Sequence, residues 1–313
     1  MRCVITDYMG DDTVWEEAEL RSAGIETFTA PTRSASDWLA QARDADAVIT
    51  RHAQIGRSDI EQMKKCRIIA RYGVGFDNID VTTARNAEIT VTNVPDFCAP
   101  EVAEHVIGLM LAVERAIVRF DSVIRAGGWQ PKPLPDIRPI SGLRMGLIGV
   151  GRIGQEVAAR AAAFGMVVHA FDPYVTMPRS IVAHNTVEDL VKASDVLSLH
   201  LPLTDGTRRM IDAKMIARMP SGSSLINCGR GGLCDEPAVL AALDSEKLRG
   251  AGLDTFESEP LSSDSDLRGH PKVVCTPHVG YMSVRSVLEA KRGCVREVIR
   301  ALSGFPPINP VPV

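Results

Sequence analysis

Through the first hundred residues, short β-branched or apolar runs alternate with amphipathic stretches of helical length. The pattern predicts strands over 2–9, 25–29, 47–50, 67–71 and 90–94. Between them it predicts helices over 12–23, 36–45 and 58–65, the first stopped by Gly24. Strands separated by helix-length segments imply βαβ units and a parallel sheet. The scale then changes. From Pro100 to Ala126, Val102, Val106, Leu109, Met110, Val113, Ile117 and Phe120 share one broad apolar face, predicting a single long helix closed by Gly127-Gly128. That face is wider than packing on one sheet requires, so a partner subunit against 100–126 is expected. The segment 129–139 carries four prolines and reads as a linker. A second alternating series runs over 144–277, and 284–302 is again helical before a Pro-rich tail. A long helix between two α/β series, with a final helix that can return, predicts a discontinuous first domain. The expected fold is α/β: a Rossmann-type doubly wound parallel sheet (99–284) inserted in a smaller flavodoxin-like α/β domain (1–98 and 285–313).

Composition narrows the classes. The 313 residues include 35 Lys+Arg against 39 Asp+Glu, a formal net charge of -4, which argues against a nucleic-acid partner. No apolar run is long enough to span a membrane. Asp7 arrives too early for a secretory signal. The seven cysteines, at 3, 66, 98, 228, 234, 275 and 294, are odd in number, irregular in spacing and contain no Cys-x-x-Cys pair. That pattern suits neither a disulfide framework nor a zinc site, so reduced thiols, no metal and a cytoplasmic location are expected.

One segment carries a cofactor signal. Met145 to Gly154 is a strand running into G-x-G-x-x-G, followed by an Ala-rich helix over 155–164 and a second strand over 166–171. Gly149 permits the tight turn, Gly151 lets backbone approach a pyrophosphate, and Gly154 lets the helix pack on its strand. Free N–H groups at the helix start receive phosphate charge. Asp172 stands 18 residues beyond Gly154, where a carboxylate accepts from ribose hydroxyls and repels a 2′-phosphate. The expectation is NAD(H) over NADP(H), although Asp172 also reads as a turn residue before Pro173, and Arg179 lies close in sequence.

Three further segments fall where strands of this second series end. They are Asn227-Cys228-Gly229-Arg230-Gly231-Gly232, Asp254-Thr255-Phe256-Glu257-Ser258-Glu259-Pro260 and Thr276-Pro277-His278-Val279-Gly280. Singly, each reads equally well as a loop salt bridge, a solvated acid or a satisfied histidine. Together with Arg71-Tyr72-Gly73-Val74-Gly75-Phe76-Asp77-Asn78-Ile79-Asp80 and Asn93-Val94-Pro95, they resemble the D-isomer-specific 2-hydroxyacid dehydrogenases along essentially the whole chain. The resemblance implies an enzyme with Arg230, Glu259 and His278 as its catalytic trio. His278 would exchange the proton of a 2-oxoacid/2-hydroxyacid pair, Glu259 would orient and charge the ring, and Arg230 would hold the carboxylate. Glu257 and Asp254 compete for the role of Glu259; the family pattern puts Asp254 nearer the nicotinamide. The implied cofactor set is Gly149, Gly151, Arg152, Ile153, Gly154, Asp172, His200, Pro202, Thr207, Cys228, Gly229, Arg230, Asp254, His278 and Gly280.

For the substrate, the loop N–H groups of Val74 and Gly75 form a small anion nest beside Arg230 and His278 in the implied set. Arg51 and His52 are candidates for a second anionic group (phosphate, phosphonate or carboxylate), with two solvated loop residues as the alternative. The run His278 to Ser286 is similar to the branch that includes the C-terminal-binding-protein corepressors, which makes Tyr281 a candidate pocket residue. It also leaves an NAD(H)-sensing protein-binding scaffold as the second class. The chain stops soon after Asn309, so the regulatory domain of longer phosphoglycerate dehydrogenases, and serine-type feedback, are not expected.

Overall fold

The computed structural model describes residues 1–130 and 136–312. The core of the expected 129–139 linker, residues 131–135, lies outside the described residues. The chain forms two compact units, Met1–Cys98 with Ser283–Val313, and Ala99–Met282.

In the first unit, β1 (Arg2–Ile5), β2 (Glu26–Thr29), β3 (Ala47–Thr50), β4 (Ile68–Arg71) and β5 (Thr90–Thr92) make one parallel sheet in the order β2-β1-β3-β4-β5. Strands β3 and β4 are buried throughout, as expected of a sheet covered on both faces. Trp38, Ile60, Met63 and Ala84 pack with Val4, Val48 and Ile69 in one core. The expected strand 2–9 stops at Ile5, because Asp7 turns its carboxylate toward the loop after β3. The helix expected over 58–65 is only Arg57–Ile60. A short helix not anticipated from the pattern, Val81–Asn86, is started by Asp80, whose carboxylate accepts from Thr83 N at 2.9 Å. The helix Val284–Leu302 falls where the pattern placed it and opens on a capping box between Ser283 and Ser286.

In the second unit, β6 (Arg144–Ile148), β7 (Val167–Phe171), β8 (Val182–Ala183), β9 (Val196–Leu199), β10 (Ser223–Asn227), β11 (Leu248–Leu253) and β12 (Val273–Cys275) form a parallel sheet ordered β12-β11-β10-β9-β6-β7-β8. Strand order reverses at β6, which pairs with both β7 and β9. Ligands of such sheets bind outside the carboxyl ends of the strands at this switch point.

The long helix needs correction. It is two helices, Ala99–Glu114 and Ile117–Arg125, broken at Ala116 with φ 51. A helix over 100–126 would be about 40 Å long, roughly twice the length of an ordinary strand. The break follows Glu114, fully buried at the end of the first helix. It accepts from Ser224 Oγ at 2.5 Å and Arg138 Nε at 3.2 Å, with Arg249 Nη1 at 3.7 Å. Removing one partner from a buried pair of this kind costs about 3–5 kcal/mol. The first helix is therefore pinned at its end. The second contains no buried residue. No described helix is long and apolar enough to cross a membrane. All seven cysteines are free, and among the described residues no group of three His, Cys, Asp or Glu could hold a metal ion.

Candidate active site

The glycine turn after β6 shows why each glycine is needed. Gly149 has φ +93, a conformation L side chains avoid, and a Cβ there would run into the His200 carbonyl. A Cβ on Gly154 would run into Gly149 O, so the helix Arg152–Ala163 starts against the turn. Gly151 occupies the N-cap without a side-chain cap, and the space where its Cβ would stand is open. A 12-residue helix thus presents its N-terminal N–H groups and positive dipole end beside open space. Asp172, just past β7, closes the turn: its Oδ2 accepts from Val150 N at 2.8 Å and its Oδ1 from Tyr174 N at 2.9 Å.

Arg230, Glu259 and His278 follow β10, β11 and β12, three adjacent parallel strands, and so lie at one edge of one sheet. Asn227, the last residue of β10, folds the first loop. Its Oδ1 accepts from Gly229 N at 3.0 Å and its Nδ2 donates to Arg230 O at 2.8 Å. The Arg230 guanidinium donates through Nη1 to Gly229 O at 3.0 Å. Gly231 brings this loop against the next, since a Cβ on it would collide with the backbone of Phe256 and Glu257. Glu259 Oε1 accepts from Phe256 N at 3.1 Å, and Oε2 lies 2.7 Å from His278 Nδ1. A carboxylate only accepts, so Nδ1 carries the hydrogen and Nε2 becomes the nitrogen that can exchange a proton.

The two competing acids are engaged elsewhere. Glu257 pairs with Arg209, Nη2 to Oε1 at 2.8 Å. Asp254 is 1% exposed and serves the His278 loop. Its Oδ1 accepts from Thr276 Oγ1 at 2.6 Å and Val279 N at 2.9 Å, and its Oδ2 from Gly280 N at 2.8 Å. Its carbonyl accepts from His278 N at 2.8 Å, which holds His278 at φ 55, in the left-handed region. Because Thr276 Oγ1 donates to Asp254, it must accept from His105 Nε2, 2.8 Å away. Burial pushes the Asp254 carboxyl up, but hydrogen bonds from His105, Thr276, Val279 and Gly280 outweigh it and hold the group below its usual range. Neither Thr276 nor His105 was foreseen in this role; their partner lies 22 and 149 residues away in sequence.

Residues 107–280 match the model of the D-isomer specific 2-hydroxyacid dehydrogenase, NAD binding domain. The chain belongs to the D-isomer specific 2-hydroxyacid dehydrogenase family. It is 41% identical over 262 residues to a hydroxypyruvate reductase of Thermotoga maritima, covering 83% of this chain and 84% of that one. It is 36% identical over 311 residues to a D-3-phosphoglycerate dehydrogenase of Methanocaldococcus jannaschii, covering 97% of this chain and 58% of that one. The chain therefore spans about three fifths of the length of the latter relative. Among solved structures it is similar to the D-lactate dehydrogenase of Aquifex aeolicus, complexed with NAD and lactic acid. There the TM-score is 0.89 at 26% identity, with 97% of this chain and 96% of that one covered.

In this member of the 2-hydroxyacid dehydrogenase family, the remaining expected residues are placed as follows. His200 follows β9 and lies 2.9 Å from Ser198 Oγ; desolvation pulls its pKa down to about 4, so it is neutral at physiological pH. Burial pushes the Cys228 thiol well up, which removes it as a nucleophile. Thr207 Oγ1 donates to Pro202 O at 2.8 Å and shapes its own loop. Arg152 and Ile153 open the helix after the glycine turn. Tyr281 is buried at 9% exposure.

Within the first unit, Gly73-Val74-Gly75 follows β4. Asn93 Nδ2 donates to Val74 O at 2.7 Å, and Val94 N to Gly73 O at 3.0 Å. Among the described residues, the N–H groups of Val74 and Gly75 donate to no protein acceptor. Arg51 and His52 follow β3, and their backbone is held by Asp7, which accepts from Arg51 N at 2.8 Å and His52 N at 2.6 Å. Asp7 was not foreseen, because its partners lie over forty residues on in sequence.

Proposed function

We propose that the chain is an NAD(H)-dependent oxidoreductase interconverting a small 2-oxoacid and its D-2-hydroxyacid. The observation that carries this reading is the 2.7 Å contact between Glu259 and His278 Nδ1, on the loops after β11 and β12, with Arg230 on the loop after β10, the other neighbour of β11. In reduction, the His278 imidazolium donates its Nε2 proton to the carbonyl oxygen; in oxidation the neutral ring takes it back. Glu259 fixes the tautomer and stabilises the imidazolium as it forms. Arg230, permanently charged and forked, holds the carboxylate and polarises the carbonyl.

NAD(H), when bound, supplies the hydride. The Gly149–Gly154 turn suits its pyrophosphate, and the Asp172 carboxylate suits an unphosphorylated ribose, which favours NAD over NADP. The backbone N–H groups of Val74 and Gly75 are assigned the substrate carboxylate as a nest. Arg51 and His52 are assigned a second anionic group on the substrate, and Tyr281 the shape of its pocket. Assembly as a homodimer through the 100–126 region is supported by Ile117, Val118 and Ile124, about half exposed, and by Trp129 at 84% exposure. An elution volume matching a monomer would remove it.

The test is NADH oxidation, followed by absorbance, against glyoxylate, hydroxypyruvate and phosphono- or dicarboxylate 2-oxoacids. Turnover with at least one is expected. Tight NADH binding without turnover across the panel would instead favour the NAD(H)-sensing scaffold.

A further inference from the structure

The first unit holds a charged network that the proposed chemistry does not use. Glu16 and Tyr72 are fully buried and Lys291 is 7% exposed. They come from the helices Val14–Ser22 and Val284–Leu302 and from the residue just past β4. Tyr72 Oη donates to Glu16 Oε1 at 3.0 Å, and Lys291 Nζ donates to Glu16 Oε2 at 3.1 Å and to Asp12 O at 2.6 Å. Both oxygens of a carboxylate fully withdrawn from water are thus committed, one of them to a phenol.

Such a network is a poor device for stability alone. Desolvating the two charges offsets most of their attraction, and apolar residues of similar volume commonly do as well or better. What an apolar cluster cannot supply is direction. The phenol hydroxyl is fixed to one carboxylate oxygen, and Tyr72 N is fixed to Thr50 O at 2.8 Å, so side chain and backbone of this residue are both pinned. The next residue is Gly73, at φ +131, with the Arg71 guanidinium lying where its Cβ would be. Then come Val74 and Gly75. Val94 N and Asn93 Nδ2 donate to Gly73 O and Val74 O, and at the far end of the loop Asn78 Nδ2 donates to Ala53 O at 2.8 Å. A loop whose working groups are backbone N–H has no side chain of its own to orient them, so its two ends must do so.

We propose that Glu16, Lys291 and Tyr72 are positioning residues that aim the Val74 and Gly75 N–H groups at the substrate carboxylate. This rests on the dehydrogenase reading above. The deciding variant is Glu16→Leu with Lys291→Met, which removes the phenol's acceptor without leaving a buried charge unpaired. It is expected to melt within a few degrees of the native protein or above it, yet to raise KM for the 2-oxoacid about tenfold. Its kcat should stay within about threefold and its NADH affinity should not change, the signature of lost ground-state binding. Tyr72→Phe, which deletes only the hydroxyl, should move KM in the same direction by a smaller factor. Hydrogen exchange at the Tyr72 and Val94 amides should accelerate in both variants whether or not substrate is present. Folded variants with native KM and native exchange would overturn the proposal. If the native protein turns over none of the acids, the dehydrogenase reading fails, and the exchange measurement alone decides whether the network holds the loop.

Discussion

The two parallel sheets solve one problem in opposite ways. Both carry the groups to which we assign the chemistry in loops at the carboxyl ends of their strands. In the Ala99–Met282 unit those groups are side chains, and they hold one another: Glu259 grips His278, and Asp254 grips the backbone on either side of that ring. In the other unit the groups assigned to substrate are backbone N–H and the loop after β3. There the holding is done by acids far away in sequence, the half-buried Asp7 for residues 51–53 and the fully buried Glu16 for Tyr72. Chemistry carried by side chains leaves a motif. Chemistry carried by backbone leaves a glycine and a distant carboxylate.

The contrast can be broken most decisively at the ring. His278→Ala should lower turnover by about 10²- to 10⁴-fold while leaving NADH affinity within about twofold. Full activity would end the assignment of the second unit as the seat of proton transfer. At the glycine turn, Asp172→Ser should weaken NADH by about tenfold and narrow the preference over NADPH, measured by fluorescence titration of both nucleotides. In the first unit, Gly73→Ala should raise KM about fivefold, equivalent to about 1 kcal/mol, because a side chain at φ +131 strains the backbone and displaces Arg71. An unchanged KM would show that the loop does not depend on its backbone conformation.

The acids offer a gentler test through pH. For Asp7, burial pushes the carboxyl up, but N–H groups of Arg51, His52 and Ala53 and the Thr6 hydroxyl outweigh it and hold it below the usual carboxylate range. Asp254 is depressed in the same sense. A carboxylate lowered in the folded state contributes stability that is present above its unfolded pKa and lost as pH falls through its folded value. Urea unfolding should therefore show stability declining below about pH 4, and Asp7→Asn and Asp254→Asn should each flatten that decline. Slopes identical to the native protein would mean the two acids are not held as drawn. The smallest effect is expected at His200. With a pKa of about 4 it has no proton to give near neutrality, so His200→Asn should leave the pH profile unmoved and activity within about twofold.

How far the sequence could be read follows the same division. The run from Met145 to Gly154 was legible as strand, turn and helix because those elements are contiguous, whereas the loops of Arg230, Glu259 and His278 stood out only in combination, through the family resemblance. The helix 100–126 was misjudged at Ala116, because its apolar spacing continues through a break set by Glu114, whose partners Ser224 and Arg249 lie over a hundred residues on. Val81–Asn86 escaped because six residues hold too few turns to show a period, although Asp80 two residues before Thr82 was a usable cap signal.

Alternating apolar runs and helix-length spacers were by themselves enough to determine two parallel sheets, and the glycine spacing was enough to determine the tight strand–turn–helix after Ile148. Those are local properties: hydrophobic period, turn geometry and the absence of a Cβ. Which acid serves His278 was a matter for the tertiary structure. Glu257, Glu259 and Asp254 lie within six residues of one another, and only the packing of three loops sends one to Arg209, one to the ring and one beneath it. The same is true of Glu16, Tyr72 and Lys291, whose interaction exists only because folding brings residues from both ends of the chain into one unit. Charge and hydrogen bonding act through space, and sequence order does not carry that distance.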